Sequence, residues 1–298
     1  IWHVGVGAFV IGLASGMYFI SAGPLISELY PDRVGRVIGI HGMAAQLAAV
    51  VAPLSIGVVL VLGDWRIVFA GLGVTAVLVS AVLYRSAERA DMPAVGRGER
   101  HLRESVANQW PIILTGVAVV GATGFAWNGF FNFFVRYLTT TKGIEFGVAQ
   151  TLLTTLFAAG VPAFFLTGRI ADRVPHVPLM LAILGSFLLT LLAMTIAEGL
   201  LAVSLVSVLM GYVIHSLFPA IDTYLLDSLP DADRSSAYSA YSATVMFIQA
   251  PASVVIGLLV QSQVGFDTIY RLFVGGLLVI LLVLLVLRAG NRLPDAAR

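Results

Sequence analysis

Long apolar runs alternate with short knots of charge along this chain. A helix needs about 20 predominantly apolar residues to cross a bilayer. Nine segments approach or pass that length: 1–29, 37–62, 67–84, 110–137, 146–167, 178–197, 200–226, 237–260 and 272–287. None sustains the period-two alternation of a barrel strand. The pattern predicts an all-α integral membrane protein. One long polar segment, "RSAERADMPAVGRGERHLRES" at residues 85–105, leaves three apolar segments before it and six after. The expected organisation is a first helical group over 1–84, a linker over 85–108 and a second group over 109–298.

The short knots have an internal echo. "LISELYPDRVGRVIG" follows the first apolar run and "LLDSLPDADRSSAYS" follows the seventh. Glu28 maps to Asp227 and Pro31 to Pro230 at an offset of 199, and Ala52-Pro53 maps to Ala250-Pro251 at 198. One shared spacing in the same order points to a duplicated unit of roughly 200 residues, a trait of transporters built from parallel repeats.

Composition agrees: 59% of residues are hydrophobic, 11% are charged and mean hydropathy is +0.96. A soluble domain carries about 25% charge. A net charge of +1 gives no argument for nucleic acid, and the absence of cysteine excludes disulfides and thiolate metal sites. The chain opens inside an apolar run without Met, so a longer protein is expected. Arg and Lys favour the cytoplasmic face. With the linker inside, Arg33, Arg36, Arg85, Arg89, Arg169, Arg173, Arg234, Arg288 and Arg292 all become cytoplasmic, as do the linker arginines. Arg66, Arg136, Lys142 and Arg271 then lie outside. Trp2, Trp65, Tyr137 and Tyr270 fall near the outer interface, and Tyr30, Tyr84 and Trp110 near the inner one, as an aromatic belt requires.

The loop Pro-x-x-x-Gly-Arg in "PDRVGR" (Pro31, Gly35, Arg36), followed by "GDWRIVF" (Gly63, Trp65, Arg66, Phe69), resembles the region from helix four to helix six of the major facilitator superfamily. "GRIADRVPH" keeps Gly168, Asp172 and Arg173 of that family's loop signature, with Pro175 and His176 replacing its second glycine and following base. The resemblance covers the whole chain. It implies the family's fold, twelve helices in two six-helix halves, of which helices four to twelve are present. It also implies that helices six, nine and twelve face lipid. The corresponding runs, 67–84, 178–197 and 272–287, hold no charge, amide or histidine. The family's antiporter signature on helix five is matched at Gly39, Pro53 and Gly57 and departed from at Ala48, Ala52 and Ile56.

Polar residues inside a membrane span face a cavity or a partner, because hydrocarbon offers no hydrogen bond. "YVIHSLFPAID" places His215, Pro219 and Asp222 on one helix face. Asp222 suits proton carriage and His215 a relay or ligand contact; the alternatives are a closing ion pair and a satisfied core histidine. Asn128 and Asn132 share a face amid Trp127, Phe130, Phe131, Phe133 and Phe134, suiting an uncharged or amphipathic ligand, or else joining helices. Tyr18 and Gln249 are further pathway candidates, with Tyr238 and Ser242 on the face of Gln249. The charged knots are read as a cytoplasmic gate built from Glu28, Arg33, Arg36, Asp172, Arg173, Asp227 and Arg234, with Arg234 expected to pair with Asp172. Simple topology marking is the plainer alternative.

No phosphate-binding Gly-Lys-Ser/Thr loop and no metal-ligating constellation appears in the sequence, so no cofactor, no metal and no enzymatic activity are expected. The leading expectation is a monomeric secondary transporter in the cell membrane, exporting a small, fairly apolar compound in exchange for protons. Uptake of a polar or anionic metabolite, and a non-transporting sensor or scaffold on the same fold, remain alternatives.

Overall fold

The computed structural model describes residues 2–64, 66–89 and 102–294. Trp65 and the middle of the linker lie outside the described residues. Nine spans among the described residues are long and apolar enough to cross a membrane. The first group comprises α1 (Trp2–Leu29), α2 (Val34–Leu62) and α3 (Arg66–Arg89). The second begins with α4 (Leu102–Gly116), which runs through a π-helical turn (Val117–Gly121) into α5 (Ala122–Thr140) as one span. Then follow α6 (Phe146–Ala171), α7 (His176–Ile196) and α8 (Gly199–Ser228). The last elements are α9 (Asp231–Gln249), α10 (Ala252–Gln261) and α11 (Phe266–Ala289). α9 and α10 form a single span interrupted at Ala250-Pro251, where proline has no N–H to continue the ladder.

The helices overrun the apolar segments at their polar ends. α4 starts at Leu102, inside the expected linker, because its first turns have partners. Ser105 Oγ donates to Asp233 Oδ1 at 2.7 Å and Gln109 Nε2 to Asp233 Oδ2 at 2.9 Å, tying α4 to the start of α9. The repeat is visible in the elements: α1 ends at Leu29 and α8 at Ser228, the offset read between the two charged knots.

Glycines set the closest helix approaches. Gly35 and Gly39 of α2 lie against Gly168 and the Phe164 carbonyl of α6, and Gly211 of α8 lies against the Leu156 backbone of α6. Small residues let helix backbones meet where lipid supplies no hydrophobic drive for association. These contacts pack α6 between α2 of the first group and α8 of the second.

The core sits in the second group, where Phe130, Phe134, Tyr137 and Tyr270 form a buried aromatic cluster with ring centroids 5.0–6.2 Å apart. α3 buries no residue and α11 few, as lipid-facing helices would. α7 departs from that expectation: Leu184, Phe187 and Leu191 are fully buried against the second group. An apolar helix is equally at home against lipid and against apolar side chains, so hydropathy alone does not separate the two.

Candidate functional site

A cavity of about 360 Å³ lies between the two groups. α1 supplies Tyr18 and Gly23, α2 supplies His41 and Gln46, α6 and α8 supply Phe164, Phe218 and Asp222, and α9 supplies Tyr238, Tyr241, Ser242 and Gln249. The wall is mainly aromatic and aliphatic, with few polar groups.

Those polar groups are held in pairs. Tyr238 Oη donates to Asp222 Oδ1 at 2.9 Å, joining α9 to α8. On the facing group, Tyr18 Oη and His41 Nε2 are 3.2 Å apart, joining α1 to α2. Each half therefore presents a tyrosine coupled to an ionisable side chain. Gln249 is fixed at both ends: its Nε2 donates to the Val120 carbonyl at 3.2 Å, and Asn128 Nδ2 donates to its Oε1 at 3.1 Å. Val120 belongs to the π-helical turn. A π turn widens the helix and shifts its carbonyls off the regular ladder, and such turns recur at functional sites. Gln46 Oε1 is buried and has no hydrogen-bond partner among the described residues.

His215 is set behind this wall. It is 2% exposed, and its Nδ1 lies 2.6 Å from the Gly211 carbonyl, which can only accept, so Nδ1 carries the proton. Trp127, Phe157, Phe164 and Phe218 surround the ring, and Phe164 and Phe218, stacked 5.9 Å apart, face the cavity themselves. Of the expected pathway residues, Tyr18, Asp222 and Gln249 line the cavity. Asn128 and Asn132 bind helices together instead: Asn128 holds Gln249, and Asn132 Nδ2 donates to Ser253 Oγ and to the Asn128 carbonyl, each at 2.8 Å. An amide on an aromatic face satisfies itself against the neighbouring helix when that helix offers an acceptor. Sequence reasoning passed over His41, Gln46 and Tyr241. His41 and Gln46 lie five residues apart on α2, in the run read only for its glycines.

The charged knots converge at one end of the cavity, with partners other than those expected. Asp172 Oδ1 accepts the Gly35 N–H at 2.8 Å and Oδ2 the Arg36 N–H at 2.9 Å. The carboxylate thus sits on the first turn of α2, where unpaired N–H groups and the helix dipole favour an anion. Arg234 pairs with Asp231 at 2.7 Å, not with Asp172. Arg234, Asp231 and Asp227 share a pocket of about 480 Å³ with Glu28 of α1. Asp227 Oδ2 lies 3.3 Å from His176 Nε2. The side chains of Arg33, Arg36 and Arg173 are exposed. A residue read as a degenerate substitution, His176, therefore touches Asp227 of the second charged knot.

The family model described as "Major Facilitator Superfamily" matches residues 1–205 and 119–297. The chain belongs to the major facilitator superfamily. The two matched stretches overlap, as expected when a duplicated unit aligns to either half. A search of curated proteins finds no match. As a member of this superfamily the protein is a multi-pass membrane protein of the secondary-transporter class, with a small molecule as substrate.

Proposed function

We propose that this transporter exports a small, fairly apolar compound in exchange for protons, working as a monomer by alternating access around the central cavity. The observation that carries this reading is Asp222: a carboxylate bound to Tyr238, and the one acid in a wall made mainly of rings and aliphatic side chains among the described residues. An ionisable group in such surroundings is a proton-carrying site by default. The stacked Phe164 and Phe218 suit a ligand with an apolar body, and the unpartnered Gln46 Oε1 suits a hydrogen-bond donor on it. The excess of Arg on the linker side supports placing the linker and the C-terminal end in the cytoplasm, with the protein in the cell membrane. The gate reading rests on the charged pocket that joins Glu28 of one half to Arg234 of the other.

The test is Asp222→Asn in the intact protein, reconstituted in liposomes. Transport driven by a pH gradient is expected to fall to background while counterflow of unlabelled for labelled substrate continues. A variant that still expels substrate with a normal pH dependence would place the proton site elsewhere.

A further inference from the structure

A second cavity, of about 520 Å³, lies away from the pathway, between α4 and α11. Its floor is aliphatic, made by Leu114 of α4 with Val279 and Val283 of α11. These residues are exposed (Leu114 55%, Val279 62%, Val283 53%), so the furrow opens toward the bilayer and not toward the central cavity. One end is different in kind. There Trp110, also exposed, stands opposite Arg292.

The chain is folded to make that end. After α11, Asn291 adopts a positive φ of 51°, and the Arg292 N–H returns to the Leu287 carbonyl at 2.9 Å. The reversed segment is pinned by Tyr224 Oη, which donates to the Pro294 carbonyl at 2.9 Å. Leu293 packs against the core. Arg292 is therefore held at the mouth of an apolar furrow by a turn, a tyrosine anchor and a half-buried leucine.

The geometry points to a binding site for an anionic phospholipid, with an acyl chain in the furrow and the headgroup phosphate on Arg292. Each part matches one part of the ligand. The aliphatic floor faces hydrocarbon at membrane depth. Tryptophan favours the headgroup level. A guanidinium presents its N–H donors in a planar fork that fits a phosphate, and basic pockets between spanning helices select acidic headgroups. The site borders α4, whose continuation through the π turn reaches Val120 in the wall of the central cavity.

Native mass spectrometry tests it. The intact protein in neutral detergent is offered equal amounts of phosphatidylglycerol and phosphatidylcholine. The wild type is expected to retain phosphatidylglycerol several-fold more than phosphatidylcholine, as a single adduct on the monomer. Arg292→Gln should lower phosphatidylglycerol retention to the phosphatidylcholine level, and Arg292→Lys should keep part of the preference. Val283→Trp, which fills the furrow without touching the charge, should lower retention of both lipids. Equal retention of the two lipids by the wild type overturns the proposal. So does an unchanged preference in Arg292→Gln, unchanged retention in Val283→Trp, or a dimer that excludes lipid from the furrow.

Discussion

A single missing methyl group decides how closely the two halves meet. A Cβ at Gly35 would lie 2.6 Å from both the Gly168 carbonyl oxygen and Asp172 Oδ1, and 2.8 Å from Thr223 Oγ1. All three atoms are backbone or already bonded, so the helix itself must move. Overpacking of this kind costs about 1–3 kcal/mol. Gly35→Ala is expected to lower the thermal unfolding midpoint in detergent by several degrees and to slow transport, while Gly12→Ala, with open space around it, changes neither. Glu145 works at the same scale but outside the membrane. Its carboxylate accepts the Gly147 and Val148 N–H groups at 2.9 and 3.1 Å, capping α6. Those bonds hold its pKa below the ordinary 4.5. A depressed carboxylate contributes stability that is present above the unfolded value and lost as pH falls through the folded one. The advantage of wild type over Glu145→Gln in thermal midpoint should therefore be constant above about pH 5 and shrink on acidification below 4.5. A difference that grows on acidification contradicts this assignment.

Between elements, Asp172 meets the end of a helix, while Arg234 and Asp227 meet side chains. Asp172 on the first turn of α2 is worth about 0.3–1 kcal/mol as an anion at a helix terminus, and up to about 2 where partly buried. Arg234 faces Glu28 across the halves while bonded to Asp231. A charge-swap experiment separates the two arrangements. Adding Arg234→Asp to Asp172→Arg is expected to give no rescue of transport, whereas Glu28→Arg combined with Arg234→Glu should recover part of what each single change loses. Rescue of the first pair and none of the second would reverse the assignment. The charged residues themselves were legible in the sequence, because charge among apolar runs stands out. Their partners were not, since Asp172 is met by backbone N–H groups that carry no residue signature. The same reason hid Gln249's place: one of its two bonds goes to a carbonyl freed by a π turn, which no apolar periodicity announces.

At the largest scale, hydropathy was enough to foresee the nine spans found among the described residues. It was not enough for the inward faces, because α7 is as apolar as a lipid-facing helix and yet packs into the core. His41 and Gln46 escaped notice because a cavity is defined by both halves together, and each half alone shows only scattered polar residues. The glycine contacts beside that cavity have a further consequence. There α2 meets α6 backbone to backbone at Gly35, Gly39 and Gly168, and a Cβ on Gly23 of α1 would lie 3.1 Å from the Tyr238 ring. The α2–α6 contact is made from main chain and has no rotamer to flip. Thermal flicker of side chains, on the picosecond to nanosecond scale, leaves it shut, and it parts only when entire helices shift. Separating α2 from α6 there is thereby tied to a slow, collective movement of helices.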